Sequence, residues 1–388
     1  MNHRTADVLV IGAGVMGASV AYHLARRGCH DVLVLERFGG SGLGSTGKAT
    51  GGFRCQFTTE VYVRLSLLAR ERLRHFKEEF GVDPGYRPVG YLFMVKTAAQ
   101  LQSLRDAMAV QRAAGLEDVH EVSTDEIRRL SPEVRADDLI GGVFGPTDGY
   151  IVPLEIMRGF IEAAQRLGVR FEYGAGWVEC RTEGGRIAGV RTERGTVGTR
   201  RVVNAAGAWA GLVAQTAGVE IPVSPLRRQT AVTQPFPRLS ADTPMTINVD
   251  DGFHFRVRDE RAWLLWPQDT PTTDPFDTTF DRRWLPGLLK RAHDRVPCFR
   301  NVEIDLDRCA CGLYEMSPDK HALVGPAPGV EGLYLINGSS GHGVMHSAAL
   351  GQLLTEMILD GRAHTLDIRA LRPSRFAEGE PNPQSEIL

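Results

Sequence analysis

Residues 7–36 read Asp7-V-L-V-I-G-A-G-V-M-G-A-S-V-A-Y-H-L-A-R-R-G-C-H-D-V-L-V-L-Glu36. The apolar run Val8 to Ile11 predicts a strand that enters a turn carrying Gly12, Gly14 and Gly17. A helix follows, with Val20, Ala21 and Leu24 on its inner face. Gly28 breaks it, and a second strand, Val32 to Leu35, ends on Glu36. Gly12 permits the tight turn, Gly14 lets a pyrophosphate approach bare backbone, and Gly17 lets helix and strand pack closely. The helix start offers unpaired N–H groups and partial positive charge to the phosphates. Glu36 stands where a carboxylate accepts hydrogen bonds from ribose hydroxyls. The whole βαβ unit therefore predicts a dinucleotide site, and by itself leaves NAD and FAD both open.

The chain has 388 residues, enough for two or three domains around a sizeable core. With 43% apolar and 24% charged residues it has the composition of a globular protein. A net charge of −2 gives no reason to expect nucleic acid or an anionic membrane as partner. The first strand begins too close to Met1 for a cleaved signal peptide, and no apolar run approaches the roughly 20 residues of a membrane span. The six cysteines form no CxxC pair, and Cys309-x-Cys311 is too tight for a usual zinc knuckle, so no metal is expected and a cytoplasmic location is.

Further along, Gly39 to Gly52 is a glycine-rich loop, and a helical pattern runs from about Thr59 to Phe80. Tyr91 to Val95 reads as a strand. Pro153 opens an amphipathic helix that stops at Gly168. Strands follow at Val169–Tyr173, Trp177–Arg181, Ile187–Thr192 and Thr196–Val203. From Ile221 to Arg308 prolines are frequent, long helices few, and the texture is that of a β-rich insert. Leu333-Y-L-I-N is then a buried strand, followed by a glycine loop and a helix from Val344 to Leu359. The expected fold class is α/β to α+β, a Rossmann-like βαβ domain discontinuous in sequence with an inserted domain on an antiparallel sheet. Residues 1–85, 145–220 and 309–370 would form the nucleotide domain, 86–144 and 221–308 the substrate domain, and 371–388 a loosely held polar tail.

Three other segments carry chemistry. Gly42-L-G-S-T-G-K-Ala49 nearly matches a phosphate-binding GxxxxGK[ST], but Ala49 cannot supply the magnesium-binding hydroxyl. Val202-V-N-A-A-G-A-Trp209 is a strand ending in small residues, which admit a planar ligand or simply let strand and helix pack. Gly338-S-S-G-H-G-V-M-H-S is a second strand–glycine loop–helix start. NAD bound on one βαβ unit does not require it. A flavin does use it, because a helix N-terminus aimed at the pyrimidine edge stabilises the charge of the reduced ring.

These motifs, with Ser45-T-G-K-A-T-G-G-F-R-C-Q-Phe57, Asn204-A-A-G-A-W-Ala210, Gly312-L-Y-E-M-S-P-Asp319 and Gly341-H-G-V-Met345, occur in an order that resembles the FAD-dependent amino-acid oxidase (DAO) superfamily. Glycine oxidase and the β subunits of sarcosine oxidase and proline dehydrogenase have the most similar texture. The resemblance implies FAD. Gly12, Gly14, Val15, Met16, Gly17, Glu36 and Arg37 would hold its ADP half, with Val178 meeting the adenine side. Ser45, Thr46, Lys48, Ala49, Thr50, Gly51 and Gly52 would line pyrophosphate and flavin. Ala205, Ala206, Gly207, Trp209, Gly312 and Gly338 would wall the site, and Gly341, His342, Gly343, Val344 and Met345 would face the pyrimidine edge.

Arg54 aligns with an arginine that such enzymes use against a substrate carboxylate, a task that suits a bidentate guanidinium; the alternative is a structural arginine. His254 falls over the substrate or in the core, His342 beside the flavin in a structural or proton-transfer role, and Gln56 touches substrate or satisfies its loop. The cysteine to which monomeric sarcosine oxidases attach FAD falls on Gly312, and Cys311 misses by one, so non-covalent FAD is expected. The oxygen-activating lysine of that group has no counterpart in Ile221 to Leu289, and its substrate-binding lysine falls on Met345. The implied reaction is oxidation of the C–N bond of a small secondary amine such as sarcosine or proline, by hydride transfer to flavin N5 and imine hydrolysis. Oxygen, a quinone or a partner protein would take the electrons, and a heteromeric complex is compatible with the pattern. A 2-hydroxy-acid dehydrogenase and a non-catalytic flavoprotein subunit or assembly factor are the alternatives.

Overall fold

The computed structural model describes residues 4–384. A six-stranded sheet runs in the order Leu323–Pro326, Leu333–Asn337, Val202–Asn204, Val8–Ile11, Val32–Leu35, Arg170–Glu172. Its pairings are parallel except at the Leu323–Pro326 edge. The inner strands Val8–Ile11 and Val32–Leu35 are continuous apolar runs because both faces are covered. Val8, Val10, Val32 and Val34 pack under the helices Val15–Arg26, Pro153–Arg166 and Gly343–Asp360. Leu9, Leu33 and Val202 face the other way, toward Val178, Val190 and Val213. These belong to a small four-stranded sheet (Arg4–Thr5, Gly195–Gly198, Arg186–Thr192, Glu179–Glu183) and its adjoining loop and helix. Helix Val15–Arg26 sits so close to the sheet that a Cβ on Gly17 would lie 1.9 Å from the Gly12 carbonyl oxygen.

An eight-stranded, largely antiparallel sheet forms the second layer. Its order is Ala310–Met316, Ser224–Val232, Arg261–Leu265, His254–Arg258, Met245–Asn248, Tyr91–Val95, Gly141–Gly145, His120–Val122. Strand Ala310–Met316, placed by the sequence with the nucleotide segments, pairs here with Ser224–Val232 from Ser224↔Met316 to Thr230↔Ala310. Period-two alternation explains it: Cys311 and Leu313 are buried, while Gly312 and Tyr314 turn to the cavity between the sheets.

Several local expectations shift. The single strand expected over Thr196–Val203 is two strands in different sheets, split by a turn in which the Arg201 N–H donates to Thr199 Oγ1 at 3.2 Å. The helix expected over Thr59–Phe80 is interrupted at His75, giving Glu60–Arg74 and Phe76–Phe80. Helix Leu285–Arg295, which buries Leu288 and Ala292, lies in the region read as β-rich. The tail is also not loose through residue 384. Arg375 is fully buried and donates from Nε and Nη2 to the two carboxylate oxygens of Asp319, each at 2.8 Å. The Asn382 N–H donates to the same carboxylate at 2.9 Å. Burial alone would raise the Asp319 pKa, but these donors hold it well below the usual carboxylate range. Residues 385–388 of the expected tail lie outside the described residues.

Candidate active site

Between the two large sheets lies a cavity of about 430 Å³ that runs from Glu36 and Val178 at one end to His254 and His342 at the other. Every predicted cofactor residue lines it except Gly17, which serves the helix–sheet contact, and Gly338. Gly338 (φ +68°) turns the chain where a Cβ would meet Leu323 Cδ1 at 2.6 Å and Ser317 Cβ at 3.2 Å, and it does not line the cavity.

At the nucleotide end Glu36 accepts the Ala13 N–H at 2.8 Å on one oxygen and the Phe38 N–H at 3.0 Å on the other. The carboxylate is thereby oriented, and each oxygen keeps a lone pair for a ribose hydroxyl. Thr46 Oγ1 accepts the Val15 N–H at 3.1 Å, which takes one donor of the helix start and ties the glycine loop to it. Trp209 stacks on Phe276 with centroids 5.6 Å apart, and the Arg37 guanidinium lies 4.8 Å from the Trp209 ring centre. They make a flat wall.

In the middle, Ser45 Oγ donates to the Leu313 carbonyl at 2.6 Å, so this hydroxyl pins the loop to the second sheet. A Cβ on Gly312 would sit 3.2 Å from Lys48 Cβ, and one on Gly341 would lie 2.4 Å from the Tyr314 ring. Helix Gly343–Asp360 starts at the cavity with a partial positive charge. Two helix N-termini from opposite ends of the sequence, with narrow glycine approaches between them, fit an elongated dinucleotide with an anionic ring at one end. No cysteine lines the cavity among the described residues.

The far end gathers titratable groups. Arg54 is 8% exposed; Nη1 donates to the Gln56 carbonyl at 2.8 Å and Nη2 reaches His342 Nε2 at 3.1 Å. A guanidinium can only donate, so His342 Nε2 holds a lone pair and its proton is on Nδ1. Burial first, then the Arg54 charge, keeps His342 well below its ordinary pKa and neutral. His254 Nδ1 donates to the Gly252 carbonyl at 2.8 Å, leaving Nε2 as an acceptor; burial lowers this histidine to about 4. Arg54, His254 and His342 are thus brought together at one cavity.

Four further residues escaped the sequence reading. Glu315 accepts the Ser339 N–H at 3.3 Å on Oε1, its Oε2 is buried without a partner among the described residues, and burial pushes it up to about 7. It lies within the quoted Gly312–Asp319 stretch, where strand alternation was the available signal. Lys320, at φ +60°, puts an ammonium-bearing side chain in the cavity wall, so the lysine missing at position 345 does not leave Arg54 as its sole cation. Tyr91 fixes the loop, since a Cβ on Gly52 would meet its hydroxyl at 2.0 Å. Asp148, fully buried, accepts the Cys55 N–H at 2.7 Å and Gln56 Nε2–H at 2.9 Å, holding the segment that presents Arg54. Gln56 is therefore a loop-bracing residue.

This fold and site define a class: the chain belongs to the DAO family of FAD-dependent oxidoreductases, whose model matches residues 7–357. Among curated relatives, human mitochondrial sarcosine dehydrogenase is 30% identical over 95% of this chain but 42% of its own length. Rat mitochondrial dimethylglycine dehydrogenase is 26% identical over 96% of this chain and 45% of its own. The FAD-dependent oxidoreductase domain-containing protein 1 of Xenopus laevis is 28% identical, with 99% and 85% covered. The chain thus spans less than half of the two dehydrogenases. Among solved structures, L-proline dehydrogenase from P. horikoshii superposes with a TM-score of 0.89 at 27% identity, covering 98% of this chain and all of that one. Among the described residues no helix is long and apolar enough to cross a membrane.

Proposed function

We propose that the chain oxidises the C–N bond of a small secondary amino acid of the sarcosine or proline kind, with FAD held non-covalently. The observation that carries this reading is the buried Arg54 guanidinium in the same cavity as the glycine approaches for the cofactor. It would grip the substrate carboxylate, with Lys320 adding positive charge from the facing wall. His342 would hold Arg54 in orientation. His254, neutral with an acceptor nitrogen, suits an amine N–H donor, and Glu315 is the available carboxylate for a proton at the cavity. FAD, when bound, supplies the two-electron acceptor for the hydride that leaves the carbon next to nitrogen. The resulting imine takes up water to give a carbonyl and an amine, as two molecules from an acyclic substrate and on one opened chain from a cyclic one. The relatives named for sarcosine, dimethylglycine and L-proline all point to carboxylate-bearing secondary or tertiary amines. Gly312, which stands where monomeric sarcosine oxidases carry their attaching cysteine, supports non-covalent attachment.

The test is anaerobic titration of the FAD-loaded protein with sarcosine, dimethylglycine, L-proline, glycine and lactate, followed at the flavin band. Bleaching by an amine and not by lactate is expected. Bleaching by lactate alone, or by none of the amines, overturns the reading. Acid precipitation should release the flavin to the supernatant, and flavin retained in the pellet overturns non-covalent attachment.

A further inference from the structure

On the side of the nucleotide sheet covered by helices, a second cleft of about 300 Å³ opens between helices Val15–Arg26, Glu60–Arg74 and Gly343–Asp360. It shares no lining residue with the cofactor cavity. Most of its polar groups have partners. Glu79 accepts from Tyr22 at 2.8 Å and pairs with Arg26, and Arg27 pairs with Asp360 at 3.0 Å. The Glu356 carboxylate accepts the backbone N–H groups of His364 and Thr365 at 2.8 and 3.0 Å, and Gln352 Nε2–H at 2.9 Å.

Two groups remain. Arg72 donates from Nη2 to Gln352 Oε1 at 2.9 Å, but its Nε is buried without a partner and it makes no ion pair among the described residues. His23, 8% exposed, has Nε2 buried without a partner in the same cleft. Burial, with the charges of Arg26 and Arg72, keeps this imidazole neutral. Phe76, Phe80 and Phe160 form the apolar wall.

We propose that this cleft is a ligand site for a small monocarboxylate with an apolar body. The carboxylate would accept from Arg72 and from His23 in its Nε2–H tautomer, and the body would lie toward Phe80, the least buried of the three phenylalanines. A half-buried guanidinium whose Nε–H is buried and unmet favours a carboxylate partner. Glu79 and Glu356 in the same walls oppose a second negative charge, which disfavours phosphate. The helices that wall the cleft with His23 and Arg72's partner Gln352 are the two whose N-termini meet the cofactor cavity, bridged by Ser19 Oγ donating to the Ser347 carbonyl at 2.7 Å.

Hexanoate is a suitable probe, titrated calorimetrically into the FAD-loaded protein with inorganic phosphate as comparator. A carboxylate bound near Arg54 would lie beside the flavin and should perturb its band, so the site in question is the one that leaves the band unchanged. We expect such a flavin-silent hexanoate site, weakened at least tenfold in R72Q and retained in R54M. A crystal structure of the unaltered protein with hexanoate should place the carboxylate within hydrogen-bond distance of Arg72 Nε. Absence of a flavin-silent site, unchanged affinity in R72Q, preference for phosphate, or hexanoate found elsewhere each overturns the proposal.

Discussion

Arg54 and His342 are 288 positions apart in sequence, yet the guanidinium Nη2 donates to the imidazole Nε2 at 3.1 Å. The contact joins the loop after the first βαβ unit to the start of the C-terminal helix. It also sets the tautomer of the histidine and aims the arginine. H342L should therefore raise KM for the amine substrate about fivefold to tenfold with kcat little changed, about 1 kcal/mol, as for one ordinary hydrogen bond, because the guanidinium itself remains. H342N, which restores an acceptor oxygen, should recover most of it. Equal loss in both variants would show that the acceptor is not what matters.

Removing the guanidinium itself should cost far more. R54M is expected to lower kcat/KM by about 100-fold or more for a carboxylate-bearing amine, as for truncation of one side of a buried, hydrogen-bonded charge pair. The same variant should be much less impaired on an amine lacking the carboxylate. Steady-state kinetics on the matched pair measures the difference, and an equal loss on both would remove Arg54 from carboxylate binding.

Burial places the Glu315 carboxyl at about 7 and His254 at about 4. A protein ionisation seen in kcat/KM near pH 7 should thus belong to Glu315, with Asp148, at about 6, as the other carboxyl raised toward neutrality. E315Q should abolish that limb, whereas H254Q should leave its position unchanged. A limb that stays in E315Q assigns it to the substrate amine or another group.

Asp148 is raised to about 6 chiefly by burial, against the lowering effect of the donors from Gln56 and Cys55. Its folded value lies above its unfolded one, so its contribution is fully present below about 4 and is lost as pH rises through 6. D148N should therefore flatten the fall in stability between pH 4 and 7, gaining about 2 kcal/mol relative to the unaltered protein across that range. The Gln56 amide can turn to present its oxygen to the new amide. Urea unfolding at the two pH values gives the comparison, and parallel pH dependences would refute it.

The Arg375–Asp319 pair is buried on both sides, with 0% and 1% side-chain exposure. R375M leaves a carboxylate in the interior without its cation and should cost about 3–5 kcal/mol. The double variant R375M/D319L should recover part of that loss. Failure of the second change to help would mean that Arg375 acts through its backbone-carbonyl contacts instead.

Much of the nucleotide half was legible because its chemistry is local. Gly12, Gly14 and Gly17 have a fixed spacing between two apolar runs, and the Gly341–Gly343 turn opens its own helix. Arg54 could be placed only through the family resemblance of its loop, Ser45 to Phe57. Asp148 and Lys320 could not, since the first matters only through contacts with Cys55 and Gln56, and the second through a backbone turn at φ +60°. Strand Ala310–Met316 reads equally well as either sheet's edge until its pairing with Ser224–Val232 is seen. Arg375 looks like solvent-facing tail until Asp319 supplies its partner.

The parallel sheet has a consequence for the life of the chain during synthesis. Its central strands, Val8–Ile11, Val202–Asn204 and Leu333–Asn337, come from the beginning, the middle and the end of the polypeptide. Such distant pairings close slowly, because the loop entropy is spent before any contact rewards it. The N-terminal fingerprint emerges first from the ribosome, yet it has no second wall until the last of these strands and the turn at Gly341 have followed. A nascent chain should consequently stay colourless until Gly341 has followed Gly12 out, with flavin capture a late event in the folding of this domain and not its start.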